Sequence, residues 1–297
     1  MGIQKHYVNQ SQALTANAFA LDGYSFAGWA TSTNGGVVYS DQEVVTNLTD
    51  TWHSIVNLYA VWAKNIELAN AANNATVIAD NNGKLTNVTL ADRTLTKDGN
   101  WNTICLPFNV TAAQLAETTH PFYGATIMEM QNTTSLENGV LTLNFATATA
   151  IEAGKPYLIK WASGSDIVAP VFNGVTITST TPTEVTSTDG KVTFVGQYNP
   201  FTIDSSNKDC ILMLGSGNKI GYSKNDRTLK CFRAHFQIND VNAVREFNMN
   251  FGDETTNIQQ VESGKLKVEG YYDLQGRKVA QPTKGLYIVN GKKVVVK

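Results

Sequence analysis

The sequence predicts an all-β protein with minor helix. Three observations carry this. Short apolar runs rich in aromatic and β-branched residues recur along most of the chain. Asn-Gly and Asp-Gly pairs punctuate them at Asp98-Gly99, Asn138-Gly139, Asn173-Gly174, Asp189-Gly190 and Asn290-Gly291. No long stretch carries the 3.6-residue apolar period of a packed helix. At 297 residues the chain has room for two or three domains, and 42% apolar content marks it as globular.

Residues 1–63 read as a small β module. Tyr24-Ser-Phe-Ala-Gly-Trp29 groups three aromatics, Thr33-Asn-Gly-Gly36 signals a turn, and Val37–Tyr39 reads as a short strand. Ile55–Trp62 closes the module, with Val56, Leu58, Ala60 and Trp62 on one face. For the aromatics, a core role competes with a sugar platform.

Residues 64–250 form the predicted central domain, of β-sandwich or jelly-roll-like type. Ile66–Ala72 reads as either a short helix or a linker. Strands are expected at Leu85–Leu90, Ile104–Val110, Ala125–Met130, Val140–Phe145, Tyr157–Trp161, Val175–Thr178, Val192–Val195, Cys210–Leu214 and Phe232–Ile238. The organising stretch is Trp101-Asn-Thr-Ile-Cys-Leu-Pro-Phe-Asn-Val110, in which Pro107 marks an edge strand or a bend. Thr111–Glu117 is the best helix candidate: Thr111 with Gln114 three residues on makes a capping box, and Pro121 follows as a stop.

Residues 251–297 form a predicted C-terminal β module of two hairpins, turning at Gln275-Gly276 and Asn290-Gly291. A two-residue turn at the second sets Val289 opposite Lys292, Tyr287 opposite Val294 and Leu286 opposite Val295. Each hairpin is too small to stand alone and is expected to pack on the other or on the main domain.

Charge is sparse and uneven. Only 16% of residues are charged and the net charge is −2, which argues against a nucleic-acid grip. From Gly264 to Lys297, eight Lys/Arg against two acids give about +6, leaving about −8 on residues 1–263. That basic tail reads as solvated strand edges guarded by lysine, or as a surface for a charged partner. No apolar run reaches the ~18–20 residues of a transmembrane helix. The Met-Gly start runs directly into patterned sequence, so a leader is expected to have been removed.

Chemistry is harder to find. His6, His53, His120 and His235 are scattered, and Cys105, Cys210 and Cys231 match no metal or redox spacing. Buried thiols are the default, with a Cys210–Cys231 bond open if their strands are neighbours. Gly215-Ser-Gly-Asn-Lys-Ile-Gly221 lacks the Gly-Lys-Ser/Thr ending of a phosphate loop and reads as a turn. Asp92, Asp98, Glu129, Glu137, Glu152 and Asp166 offer no singled-out acid pair. Asp80-Asn-Asn-Gly83 and Asp98-Gly-Asn-Trp101 supply too few oxygens for calcium and suit Asx turns. No cofactor or metal is expected. The ligand-binding candidates are Trp101, Tyr157, Trp161 and Tyr198, as a stacking surface for sugars.

Three resemblances bear on the chain. Leu14, Phe19, Gly23-Tyr-Ser-Phe-Ala-Gly-Trp29, Gly35-Gly36 and Leu58-Tyr-Ala-Val-Trp62 resemble the Listeria–Bacteroides repeat, which implies a β-grasp-like module, here without its first strand. Trp101–Phe108, Ala153–Ile159, Phe194–Tyr198 and Phe232–Phe236 resemble a β-rich domain of exported Bacteroides and Prevotella proteins. Tyr272–Val279 and Lys284–Lys293 are similar to C-terminal sorting-type modules of exported Bacteroidetes proteins. Together they imply an extracellular or outer-surface location and a host or cell-surface glycan or protein as partner. The leading expectation is a noncatalytic adhesion or spacer protein; a carbohydrate-binding protein and an extracellular hydrolase are the alternatives.

Overall fold

The computed structural model describes residues 2–239, 244, 246–251, 255–259, 271–272, 278–279, 285–289 and 292–296. The protein is all-β: strands dominate, with two short helices at Ala75–Asp80 and Ala112–Leu115. It divides into two compact units, residues 1–259 and 260–297.

The first unit contains three main sheets. A four-stranded sheet runs Val171–Thr176, Leu85–Ala91, Tyr59–Ala69, Tyr24–Ala30. A seven-stranded sheet runs Thr255–Gln259, Glu246–Asn250, Val140–Thr147, Thr126–Met130, Pro156–Lys160, Asn102–Cys105, with Ser135–Glu137 also on Val140–Thr147. A five-stranded sheet runs Val185–Thr186, Val192–Gln197, Arg233–Ile238, Ile211–Leu214, Ile220–Tyr222. Burial follows the pleat. In Leu85–Ala91 the alternate residues Thr86, Val88 and Leu90 are buried, and in Val140–Thr147 Leu141, Leu143 and Phe145 are. Pro156–Ile159, flanked by strands on both sides, is buried without alternation.

The four- and seven-stranded sheets contribute to one buried cluster, in which Val88, Leu90 and Phe172 from the first meet Ile104, Ile127, Tyr157 and Ile159 from the second. The seven- and five-stranded sheets meet through aromatics. Phe194 stacks on Phe236 at 4.5 Å, and Phe145 lies edge-on to both at 6.3 Å. A separate small core holds Leu14, Trp29 and Val45, packed by Phe26, Tyr39, Leu48, Leu58 and Ala60.

The division expected between residues 63 and 64 falls where one continuous strand changes partner. Tyr59–Ala69 pairs antiparallel to Tyr24–Ala30 through Lys64, then parallel to Leu85–Ala91 from Lys64 onward. The helix-or-linker reading of Ile66–Ala72 is therefore corrected: the strand continues to Ala69. Ile66 and Leu68 are buried while Asn65 and Glu67 are exposed, a period of two. The helix forms downstream, at Ala75–Asp80, within the crossover that a parallel pair requires. Of Val37–Tyr39, only Tyr39 pairs, as an isolated bridge to Trp29.

All nine central strands expected from the sequence overlap observed strands. Asn138 and Gly139, with φ of 51° and 81°, form a two-residue turn that sets Glu137 opposite Val140. Asp189-Gly190 lies in the loop joining Val185–Thr186 to Val192–Gln197. Asn173-Gly174 is instead a bulge inside Val171–Thr176: Phe172 pairs with Val88 and Val175 with Thr86, leaving one extra residue between them, and Gly174 takes φ of 64°. Asn102–Cys105 is an edge strand that ends before Pro107, as expected of that residue. Thr111 caps Ala112–Leu115 with the reciprocal Gln114 capping box.

Glu246–Asn250, unmarked in the sequence reading, pairs parallel to Val140–Thr147 and extends the seven-stranded sheet. Thr255–Gln259 pairs with it, so the expected division at 250/251 separates two paired strands.

In the second unit the strands are ordered Lys278–Val279, Tyr271–Tyr272, Gly285–Val289, Lys292–Val296. The predicted register holds: Val289 faces Lys292, Tyr287 faces Val294 and Leu286 faces Val295. Tyr272 pairs with Ile288, joining the two hairpins into one sheet. The turn residues Gln275-Gly276 and Asn290-Gly291 lie outside the described residues.

Candidate functional site

The four aromatic candidates do not make a binding platform. Trp101 is 7% exposed, Tyr157 1%, Trp161 3% and Tyr198 2%. Each is locked by its neighbours. Trp101 precedes the edge strand; its ring stacks on Phe251 at 4.9 Å, Lys160 Nζ lies 4.4 Å from the ring centre, and its backbone N–H donates to Asn218 Oδ1. Trp161 donates from Nε1 to the Tyr123 carbonyl and packs on Phe122.

Tyr157 accepts at its hydroxyl from the Glu152 N–H, and burial raises its pKa. Tyr198 donates to the Leu106 carbonyl and bonds Ser179 Oγ, and burial holds its hydroxyl far above the ordinary range. A sugar-stacking surface needs exposed π-faces; these rings are enclosed, and the polar tips of Tyr157, Trp161 and Tyr198 are hydrogen-bonded inside the protein. The expectation of a platform at these residues is corrected on that ground.

The remaining chemical candidates resolve similarly. Asp98 accepts from the Asn100 backbone and side-chain amides in an Asx turn, and the Asn100 side chain is the main cause of its lowered pKa. Asp166 accepts from the Lys97 N–H, and Glu129 is ion-paired with Lys155. Asp80 closes a helix, where its carbonyl takes the Lys84 ammonium. Gly215–Lys219 is the turn between Ile211–Leu214 and Ile220–Tyr222, with Gly221 inside the second strand, and its Asn218 is the residue that holds Trp101. Among the described residues no group of three or more His, Cys, Asp and Glu is placed to hold a metal ion.

All three cysteines are free. Cys210 and Cys231 do precede neighbouring strands, but those strands are antiparallel. The Cys210 carbonyl takes the Ile238 N–H, which puts Cys210 beside the end of Arg233–Ile238 that is far from Cys231. Their sulfurs are therefore at opposite ends of the pair, beyond disulfide reach. Burial raises the Cys105 and Cys231 pKa values, the opposite of what a nucleophilic thiolate needs.

The surface that remains chemically distinctive lies in the first module. Of the fifteen large apolar residues exposed among the described residues, twelve fall between Ile3 and Tyr59. Trp52 is 74% exposed, Ile55 87% and Tyr7 62%. The Trp52 ring meets His53 edge-on at 5.0 Å. Sequence reasoning passed over Trp52. The available signal was its isolation within the polar stretch Thr49-Asp-Thr-Trp-His-Ser54, where no alternating partner could bury it.

No family model matches the chain. Neither a curated protein nor a solved structure matches it significantly. No helix among the described residues is long and apolar enough to cross a membrane.

Proposed function

We propose that this chain is a noncatalytic adhesion or spacer protein of the cell surface or extracellular space, contacting its partner through the first module. The observation that carries the reading is the concentration of exposed apolar side chains between Ile3 and Tyr59, against a main core whose aromatics are enclosed. Isolated exposed apolar residues are ordinary, but a concentration in one module is the pattern of an interaction surface. The exported-protein resemblances of the first module and the tail support the location. The sandwich-like arrangement of residues 64–250 belongs to the same proposal, as the rigid support behind that surface.

Glycan binding remains the second reading. It now rests on Trp52, an exposed indole of the kind that stacks on sugar faces, rather than on the four buried aromatics. The test is a binding screen of the full chain against host-matrix proteins and glycans, beside the double variant Trp52→Ser/Ile55→Ser. Attachment lost in the variant supports adhesion, and attachment confined to glycans favours the second reading. Absence of attachment by the unaltered chain at high concentration rejects both binding readings and leaves the spacer role.

A further inference from the structure

Residues 116–125 join the capped helix Ala112–Leu115 to the strand Thr126–Met130 and are tied to the rest of the chain at few points. Their backbone N–H groups find carbonyls within the stretch or in the helix before it: Glu117 on Gln114, His120 on Glu117, Tyr123 on His120 and Ala125 on Phe122. Among the described residues, one hydrogen bond reaches them from elsewhere, from Trp161 Nε1 to the Tyr123 carbonyl. The anchor is Phe122, buried at 1% exposure against Phe172 at 5.0 Å and Trp161 at 6.1 Å. A segment with so few non-local ties can open by itself while the sheets stay folded.

His120 closes this stretch. Its Nδ1 accepts the Phe122 N–H at 3.1 Å, so the neutral ring carries its proton on Nε2. The ring lies edge-on to Phe122 at 5.6 Å and to Phe172 at 5.7 Å, and Nε2 is buried with no acceptor. The neutral ring therefore already leaves one donor unsatisfied. Protonation turns Nδ1 into a second donor, aimed at the Phe122 N–H, so that neither N–H of the imidazolium has an acceptor. Both are hydrated once the ring leaves. Two uncompensated donors and a charge are what drive it out.

The surroundings offer the charged ring little. Val171–Thr176, which supplies Phe172, and Ala112–Leu115 contain no titratable side chain. Glu117, on the stretch itself, is the one charged group that favours the imidazolium, and burial outweighs it and lowers the His120 pKa. In the opened stretch the ring titrates near the unperturbed value of ~6.5. The open form therefore binds more protons, and opening grows as pH falls below that value. His235 differs. It is enclosed in the five-stranded sheet and bonded to Gln197 Oε1, so its protonation weighs on the whole unit.

We propose that His120 is an acid-operated latch: a proton taken up at Nδ1 breaks the bond from the Phe122 N–H and releases residues 116–125. Release withdraws Phe122 from Phe172 and Trp161 and exposes that aromatic cluster. At neutral pH the latch is closed.

The Phe122 amide is itself the reporter. Its hydrogen exchange is followed on the full chain from pH 7 to pH 5, corrected for the intrinsic effect of pH and referenced to Leu141 and Leu143 in the core. The expected result is a loss of protection of about tenfold at Phe122 and Tyr123 relative to the core. His120→Asn is the discriminating variant, because an asparagine Oδ1 takes the N–H two residues on in an Asx turn and does not titrate. It should keep Phe122 protected at both pH values. Nitrogen NMR of the histidines gives a check that needs no variant. His120 should carry its proton on Nε2 at neutral pH and gain one on Nδ1 over the pH range in which Phe122 loses protection. Protection that does not change with pH, an equal loss in His120→Asn, or a His120 that stays neutral while protection falls would each overturn the proposal.

Discussion

Cys105 and Gly196 meet so closely that the second position has no room for a side chain. A Cβ built on Gly196 would collide with the Cys105 sulfur and lie 2.9 Å from its Cβ. The sulfur cannot swing aside freely, because it donates to the Gly154 carbonyl at 3.1 Å in a fully buried site. The contact joins an edge strand of the seven-stranded sheet to Val192–Gln197 of the five-stranded one. Gly196→Ala is expected to destabilise by about 1–3 kcal/mol through overpacking, measured by denaturant unfolding. Adding Cys105→Ala should recover part of the loss, so the two substitutions will be non-additive.

His235 makes stability depend on pH in the direction set by burial. Its ring stacks on Phe201 at 4.5 Å, and its Nδ1 bonds Gln197 Oε1 at 3.2 Å. Gln197 is oriented by donating to the Leu229 and Lys230 carbonyls, so its Oε1 accepts and the histidine is held neutral with the proton on Nδ1. Desolvation lowers its pKa to about 4, against ~6.5 in the unfolded chain. The unfolded state therefore binds more protons between these values, and stability rises with pH across that window. The contribution is complete above pH ~6.5 and is lost progressively as pH falls to ~4, amounting to at most about 3 kcal/mol. His120, also lowered mainly by burial, acts in the same direction. Unfolding free energy measured from pH 7 to 4 should fall less steeply in His235→Gln than in the unaltered protein; an equal slope would rule out His235 as the source.

The Thr111 cap is worth about 1 kcal/mol by the ordinary cost of replacing such a residue with alanine. Thr111 Oγ1 takes the Gln114 N–H at 3.2 Å, and Gln114 Oε1 takes the Thr111 N–H at 2.9 Å. Ala112–Leu115 has four residues and buries none of them fully, with Leu115 alone packed against the main core, so the cap is a large share of what holds it. Thr111→Ala should therefore accelerate amide exchange at Gln114 and Leu115 more than it shifts global unfolding.

Local rules account for what was legible in the sequence. The cap at Thr111, the turn at Asn138-Gly139 and the tail register from Val289 to Lys292 depend on residues within a few positions of one another, and each appears as read. Two failures came from non-local pairing. Asn173-Gly174 carries the same dipeptide signal as Asn138-Gly139, but Leu85–Ala91 pairs on both sides of it and turns the signal into a bulge. Ile66–Leu68 is too short an alternation to identify a strand until its parallel partner at Val88–Leu90 is known. At the site, composition marked Trp101, Tyr157, Trp161 and Tyr198 as aromatics with polar tips. Enclosing three of them depends on residues distant in the chain, Asn218 and Phe251 at Trp101, Tyr123 at Trp161, and Leu106 and Ser179 at Tyr198, which no local pattern encodes; the Tyr157 hydroxyl has a near partner in the Glu152 N–H.

Tyr198 gives the sharpest test of that distinction between core and ligand surface. Its hydroxyl bonds the Leu106 carbonyl and Ser179 Oγ, each at 3.1 Å, while its ring packs near Phe232. Tyr198→Phe keeps the ring and removes the hydroxyl. Neither partner is stranded by the change: the Leu106 carbonyl still receives the Gly154 N–H at 2.7 Å, and Ser179 Oγ still donates to the Thr181 carbonyl. The loss should thus be near the net value of one hydrogen bond, about 1 kcal/mol, without the added penalty of an orphaned buried group. A residue serving as a ligand contact would behave oppositely, with stability unchanged and attachment lost. Unfolding and attachment measured on the same Tyr198→Phe protein separate the two, and the enclosed hydroxyl predicts lower stability with attachment intact.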